Sequence, residues 1–92
     1  SGLYSDLVVR IQSRDIPVHA AIIQSQCEKL HEKARQGKIF IDDDRLSPSV
    51  VMLFLTYIYA CHMPLIRDMR VLCQLMYCAH KYRHVALLGE LQ

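Results

Sequence analysis

Glycine and proline are scarce in this 92-residue chain, three of each, which excludes collagen-like and low-complexity classes. Charge is sparse too: charged residues make up 22% of the chain, against 52% hydrophobic, and the mean hydropathy is +0.12. Disorder needs low hydrophobicity and high net charge, so this composition describes a folded chain. Long hydrophobic runs are missing as well. The longest, residues 50–61, is interrupted by Thr56 and falls well short of the ~20 residues a spanning helix needs. No Cys-x-x-Cys pair occurs among Cys27, Cys61, Cys73 and Cys78, which removes the thioredoxin-type redox motif and the common zinc knuckle. Glycine-rich phosphate loops, G-x-S-x-G and H-E-x-x-H are also absent.

What is present suits one small domain of 10.7 kDa over residues 3–92, with Ser1-Gly2 read as a cloning scar. A chain this short cannot hide all its apolar surface, so part of it is expected to meet a partner. Eleven Lys and Arg against nine Asp and Glu leave a formal charge of +2. The cations are spread thinly, Lys29, Lys33, Arg35 and Lys38 in one stretch and Arg67, Arg70, Lys81 and Arg83 in another. That is a solvated pattern rather than the clustered stripe of a nucleic-acid module, and no nucleic-acid partner is expected. Three of the four cysteines sit among apolar neighbours, where a thiol behaves as a small hydrophobe. With no signal peptide in view, the expected compartment is reducing, cytoplasm or nucleus.

Local pattern orders the elements. Residues 6–12 are rich in β-branched side chains, residues 13–15 make a polar turn, and residues 16–19 follow as a second strand. Pro17 confines that strand to an edge. Residues from Ala20 suit one helix or two short ones, with Cys27, Leu30 and Ala34 as the apolar stripe and Gly37 as the stop. Residues 38–41 form a brief strand. Asp42, Asp43 and Asp44 make a turn without the alternation or glycine of a calcium loop.

Ser47-Pro48 opens the clearest helix, because serine accepts a free amide and proline at the first helical position loses no bond. Its body is apolar almost all round, the pattern of a helix buried on most sides. Pro64 breaks the chain and Asp68 caps a helix with the stripe Leu72, Leu75, Met76, Ala79. Val85, Leu88 and Leu91 mark a short last helix, entered near His84. The fold class is therefore α+β: a small β-sheet capped by a cluster of about five helices.

Two chemical readings remain to be weighed. His80 and His84, four apart, are half of a zinc site, with Cys73 as a third ligand that fits no standard spacing; the plain account is a polar rim, and no metal or other cofactor is expected. A Cys–His catalytic pair would need a third orienting group, and adjacent Cys61 and His62 point apart at a helix end. No enzyme is expected.

Four segments, in order, resemble one family. Ser5-Asp6-Leu7-Val8-Val9 and Ile16-Pro17-Val18-His19-Ala20 are similar to the opening of the BTB/POZ domain. Phe54, Ile58 and Tyr59 resemble the end of its central helix, and Ala79-His80-Lys81-Tyr82 its Ala-Asp-Lys-Tyr segment, so the likeness runs from Tyr4 to Leu91. The resemblance implies a protein–protein interaction module without chemistry of its own. It would hold copies of its parent together as a homodimer or larger assembly, act as a cullin-3 ubiquitin-ligase adaptor, or both; the alternative is assembly or corepressor recruitment without cullin.

The departures bear on that choice. The family pairs the strand aspartate with a basic residue after the histidine, whereas here Asp6 faces Ala20 in the alignment. Asp6 is then left to pair across a dimer or simply to cap in solvent. The chain starts almost on the motif, as in a trimmed or a short-form domain. The family's hydrophobic-x-Glu motif is matched in letters by Leu30-His31-Glu32, but early, within a helix where Leu30 suits the core. Tyr57, Tyr59 and His62, on the central helix and the loop after it, are the other expected interface residues, tyrosine being a common anchor. The alternative for either ring is packing inside the fold, and a charged residue at Leu30 or Tyr57 is expected to disturb folding before binding.

Overall fold

The computed structural model describes residues 6–63 and 65–91. The Ser1-Gly2 assignment, Tyr4, Ser5 of the Ser-Asp pair and the break at Pro64 lie outside them. A three-stranded mixed sheet and five helices make an α+β fold. The residues fall into two compact units, one up to Asp43 and one from Asp44.

In the first unit β1 (Leu7–Ile11) buries Leu7, Val9 and Ile11, alternate residues that share one face of a strand. It pairs antiparallel with β2 (Arg14–Val18). The hairpin turns on Gln12 and Ser13 alone, with Gln12 at φ 56°, the positive value that primed two-residue turns need at their first position. The turn expected over residues 13–15 is thus corrected. Arg14 and Asp15 join the ladder, and Asp15, opposite Arg10, takes its guanidinium at 2.8 Å. Pro17 does lie on an edge strand, since the sheet order is β2-β1-β3.

Two short helices follow, α1 (Ala20–Gln26) and α2 (Glu28–His31), parted at Cys27, whose φ of −151° is not helical. Ile23 on α1, Leu30 on α2 and Cys27 between them are buried. Together the helices form the crossover that a parallel strand pair requires. β3 (Lys38–Ile41) then runs parallel to β1, with Ile39 and Ile41 beside Val9 and Ile11.

Gly37 does not stop a helix. Gln36 and Gly37 stand at φ 53° and 78°, a primed turn in which Arg35 and Lys38 exchange backbone hydrogen bonds of 2.7 and 3.0 Å. The helix had already ended at His31, so the glycine serves the strand that follows.

The second unit opens as the sequence indicates. α3 (Pro48–Ala60) carries proline in its first turn, and the Ser47 hydroxyl accepts from the Val50 amide at 3.3 Å. Val50, Val51, Phe54, Leu55, Tyr57 and Ile58 are buried. Burial is less complete than the apolar run implies, because Met52, Thr56 and Tyr59, four and three apart, form an exposed stripe.

α4 (Met69–Lys81) starts at Asp68, whose carboxylate accepts from the Arg70 amide at 2.9 Å. Its buried face is Leu75, Cys78, Ala79 and then Tyr82, while the expected members Leu72 and Met76 are half-buried. The helix ends in a Schellman arrangement: the His84 amide donates to Ala79 at 2.8 Å and the Arg83 amide to His80 at 3.2 Å. Arg83 fills the left-handed position, φ 53°, that glycine usually takes.

α5 (Val85–Leu91) is anchored by Leu87, not by the expected Val85, which is 77% exposed. The polar rim expected at His84 is corrected as well. His84 is only 5% exposed, and its ring meets Phe54 and Tyr57 nearly at right angles, centroids 5.8 and 5.5 Å away. Phe54 also stacks on Tyr82 at 5.9 Å. Aromatic burial outweighs the polarity of one imidazole, whose Nδ1 is used inside the fold.

Candidate interaction surface

Asp6 and Ala20 are brought together, though without a dimer. Asp6 Oδ1 accepts from the Ala20 backbone N–H at 2.7 Å. His19 supplies no side-chain cap to α1, so the carboxylate from the start of β1 takes over that duty. The reason lies in the hairpin: it returns the chain to where it began, and Leu7 stands opposite Val18. A basic side chain at position 20 is not needed to hold Asp6 in place.

Leu30 and Glu32, two residues apart in sequence, face different surroundings. Leu30 is fully enclosed and offers no surface. Glu32 lies in solvent, 3.4 Å from Lys29 in an ion pair whose members are each about half exposed, worth at most ~1 kcal/mol. The hydrophobic-x-Glu letters therefore do not present a hydrophobe to a partner, and the interface expectation for Leu30 is corrected: it is core, the buried residue of α2.

Tyr57 and Tyr59 separate in the same way, since successive helical positions turn by about 100°. Tyr57 is buried beside His84, and burial, with the charge of Glu90 as a lesser cause, pushes its phenol up from the ordinary value. Its interface expectation is corrected to a core position. Tyr59 is 42% exposed, and His62 is exposed just past the end of α3. α3 ends on Cys61 in a left-handed conformation at φ 54°, which turns residues 62 and 63 away from the helix axis.

The zinc geometry does not form. His80 is exposed on α4, whereas His84 lies beyond the helix end and is buried. Its Nδ1 accepts from the Leu87 amide at 3.1 Å, which leaves the proton on Nε2, an atom without a hydrogen-bond partner among the described residues. Desolvation pulls the imidazole pKa below its ordinary value. Among the described residues no group of three or more His, Cys, Asp or Glu is placed to hold a metal ion. No described helix is long and apolar enough to cross a membrane.

Several large apolar residues are exposed. Phe40 on β3 is 60% exposed, Leu65 81% and Met69 68%. Phe40 was detectable by alternation, since Ile39 and Ile41 claim the inner face. Leu65 and Met69 belong to a loop and a helix start, where no period applies. Met63, Leu65, Ile66, Leu72, Glu90 and Leu91 line a shallow cavity of about 240 Å³.

No family model matches the chain, and no curated protein matches it by sequence. Solved structures do. The chain is similar to the BTB domain of zebrafish PATZ1, with TM-score 0.78 and 19% identity over 99% of this chain and 75% of that one. It is similar also to the BTB (Tramtrack and Bric a brac) domain of human Gigaxonin, with TM-score 0.73 and 21% identity over 96% and 71% of the two chains. At such low identity the likeness speaks to the path of the backbone rather than to shared partners. The chain has the BTB fold.

Proposed function

We propose that residues 3–92 act as a single protein–protein interaction domain that associates with further copies of itself and carries no catalytic chemistry. The observation that carries this reading is the BTB fold together with large apolar side chains left in solvent, Phe40, Met52, Tyr59, Leu65, Met69 and Val85. Apolar groups kept exposed on so small a domain favour a partner. The cytoplasm or nucleus is the setting that goes with this reading, and neither nucleic acid nor a cofactor is part of it.

Docking on cullin-3 is the finer, second reading. Tyr59 and His62 support it, Tyr59 being exposed on the face of α3 that carries Met52 and Thr56, and His62 being exposed just past the end of the helix. Leu30 weighs against it, since the hydrophobe of the matched motif is enclosed. Asp6 and Ala20 contribute to the self-association reading by ordering the start of α1 through the 2.7 Å bond.

Light scattering on the purified chain, alone and mixed with the N-terminal region of cullin-3, tests both. A mass above that of one chain is expected. A further rise with cullin-3, lost in Tyr59→Ala, supports the adaptor reading. A mass of one chain at every concentration overturns self-association, and no change with cullin-3 leaves an assembly module.

A further inference from the structure

The two edges of the sheet differ in how they are guarded. On β2 the edge carries Pro17, which has no amide to offer a new strand. The outer edge of β3 has no proline, and no strand pairs with it among the described residues. Which of its groups point outward follows from the ladder. The Val8 amide donates to the Gly37 carbonyl at 3.0 Å, so residues 37, 39 and 41 face β1 while 38, 40 and 42 face away. Lys38 is already satisfied by Arg35. Phe40 and Asp42 are left to offer backbone donors and acceptors.

The side chains at these positions complement themselves. Lys38, Phe40 and Asp42 are all exposed, and Ile39 and Ile41 are buried. The segment is basic at one end, with Lys33, Arg35 and Lys38, aromatic at its centre, and acidic at the other end, with Asp42 and Asp43. Two copies running antiparallel would set each basic end against the other's acidic end. A shallow cavity of about 380 Å³, lined by Arg10, Gln12, Phe40, Ile41 and Asp42, opens beside the strand.

We propose that β3 pairs antiparallel with β3 of a second copy of this chain, Phe40 opposite Asp42, joining two sheets across a two-fold axis. This register preserves the Arg35–Lys38 turn, whereas placing Phe40 opposite Phe40 would set Asp42 of the second copy where Arg35 stands. Across the exposed face the two Phe40 rings become diagonal neighbours, as do Lys38 and Asp42 of the second copy, within reach of long side chains. The contact is short, so the pairing dissociates on dilution.

The proposal rests on the self-association reading and assigns it a surface. The experiment is sedimentation of the 92-residue chain over a concentration series, for wild type, Phe40→Asp, Lys38→Glu, Asp42→Lys, and an equimolar mixture of the last two. These positions are exposed, and circular dichroism is expected to report an unchanged fold. Each single variant is expected to weaken association on the order of tenfold. The mixture restores it, because each glutamate then meets a lysine and each native Lys38 meets a native Asp42. Association that persists unchanged in all three variants overturns the β3 pairing and leaves self-association standing. A wild type that stays a single chain throughout overturns both. Single variants that weaken with no recovery in the mixture overturn the antiparallel register.

Discussion

His84 concentrates the chemistry of the second unit in one side chain. A protonated imidazole there would carry two N–H donors, one aimed at the Leu87 amide that now donates to Nδ1 and one at a place without an acceptor among the described residues. Its pKa is therefore lowered in the folded state by loss of solvent. On acidification the unfolded chain takes up this proton first, near the ordinary value of ~6.5. The contribution of His84 to stability is complete above that value and declines as pH falls from it toward the lower folded value. Thermal melts at pH 7.5 and 5.5 should show a drop that is smaller in His84→Asn, whose baseline stability is also lower. An equal drop in the variant would assign the acid sensitivity elsewhere.

The cysteines divide on the same principle. Cys27 and Cys78 are buried, and desolvation pushes the Cys27 thiol up despite a backbone hydrogen bond from Leu30 that pulls it down. Cys61 and Cys73 are exposed. The thiolate is the reactive form and needs access to its reagent. Iodoacetamide under native conditions is expected to label Cys61 and Cys73, with Cys27 and Cys78 reacting only in denaturant, as peptide mass spectrometry would read.

At the scale of elements, caps and turns were legible where a side chain makes the bond locally. Ser47-Pro48 and Asp68 announced their helices because an oxygen placed two or three residues ahead reaches a free amide whatever the rest of the chain does. Turns made by backbone alone were harder to see. Gln12, Gln36 and Arg83 adopt positive φ without being glycine, and none marks itself in sequence. Two substitutions should move stability in opposite directions. Gly37→Ala meets no neighbouring atom, yet at φ 78° it costs about 1 kcal/mol through backbone strain alone. Arg83→Gly relieves the same strain at the end of α4 and gains up to about 1 kcal/mol, less the added entropy of the unfolded chain. Urea midpoints of the two variants against wild type check both signs.

For the whole molecule, association and stability are linked. If only folded chains assemble, the melting temperature rises with protein concentration. For a chain of 92 residues the rise is expected to be several degrees per tenfold. A midpoint independent of concentration would mean that assembly contributes nothing to stability. The exposed apolar residues set the other expectation at this scale. Leu65→Ser should leave the midpoint within about 0.5 kcal/mol of wild type, because a side chain 81% exposed removes little area from water on folding.

Local pattern was enough for the α+β class, the order of the elements, the edge position of Pro17 and the caps of α3 and α4. Each of these depends on residues a few positions apart, whose relation the backbone geometry already contains. The assembled fold was needed to show that His84 is core, that Tyr57 is buried while Tyr59 is not, and that Asp6 caps α1 at Ala20. Burial is a property of what arrives from elsewhere in the chain. His84 is enclosed because Phe54 and Tyr57 come from α3, some thirty residues earlier. Asp6 finds an amide because a hairpin returns the chain fourteen residues later. No local period records those meetings, and they are what divide core from surface here.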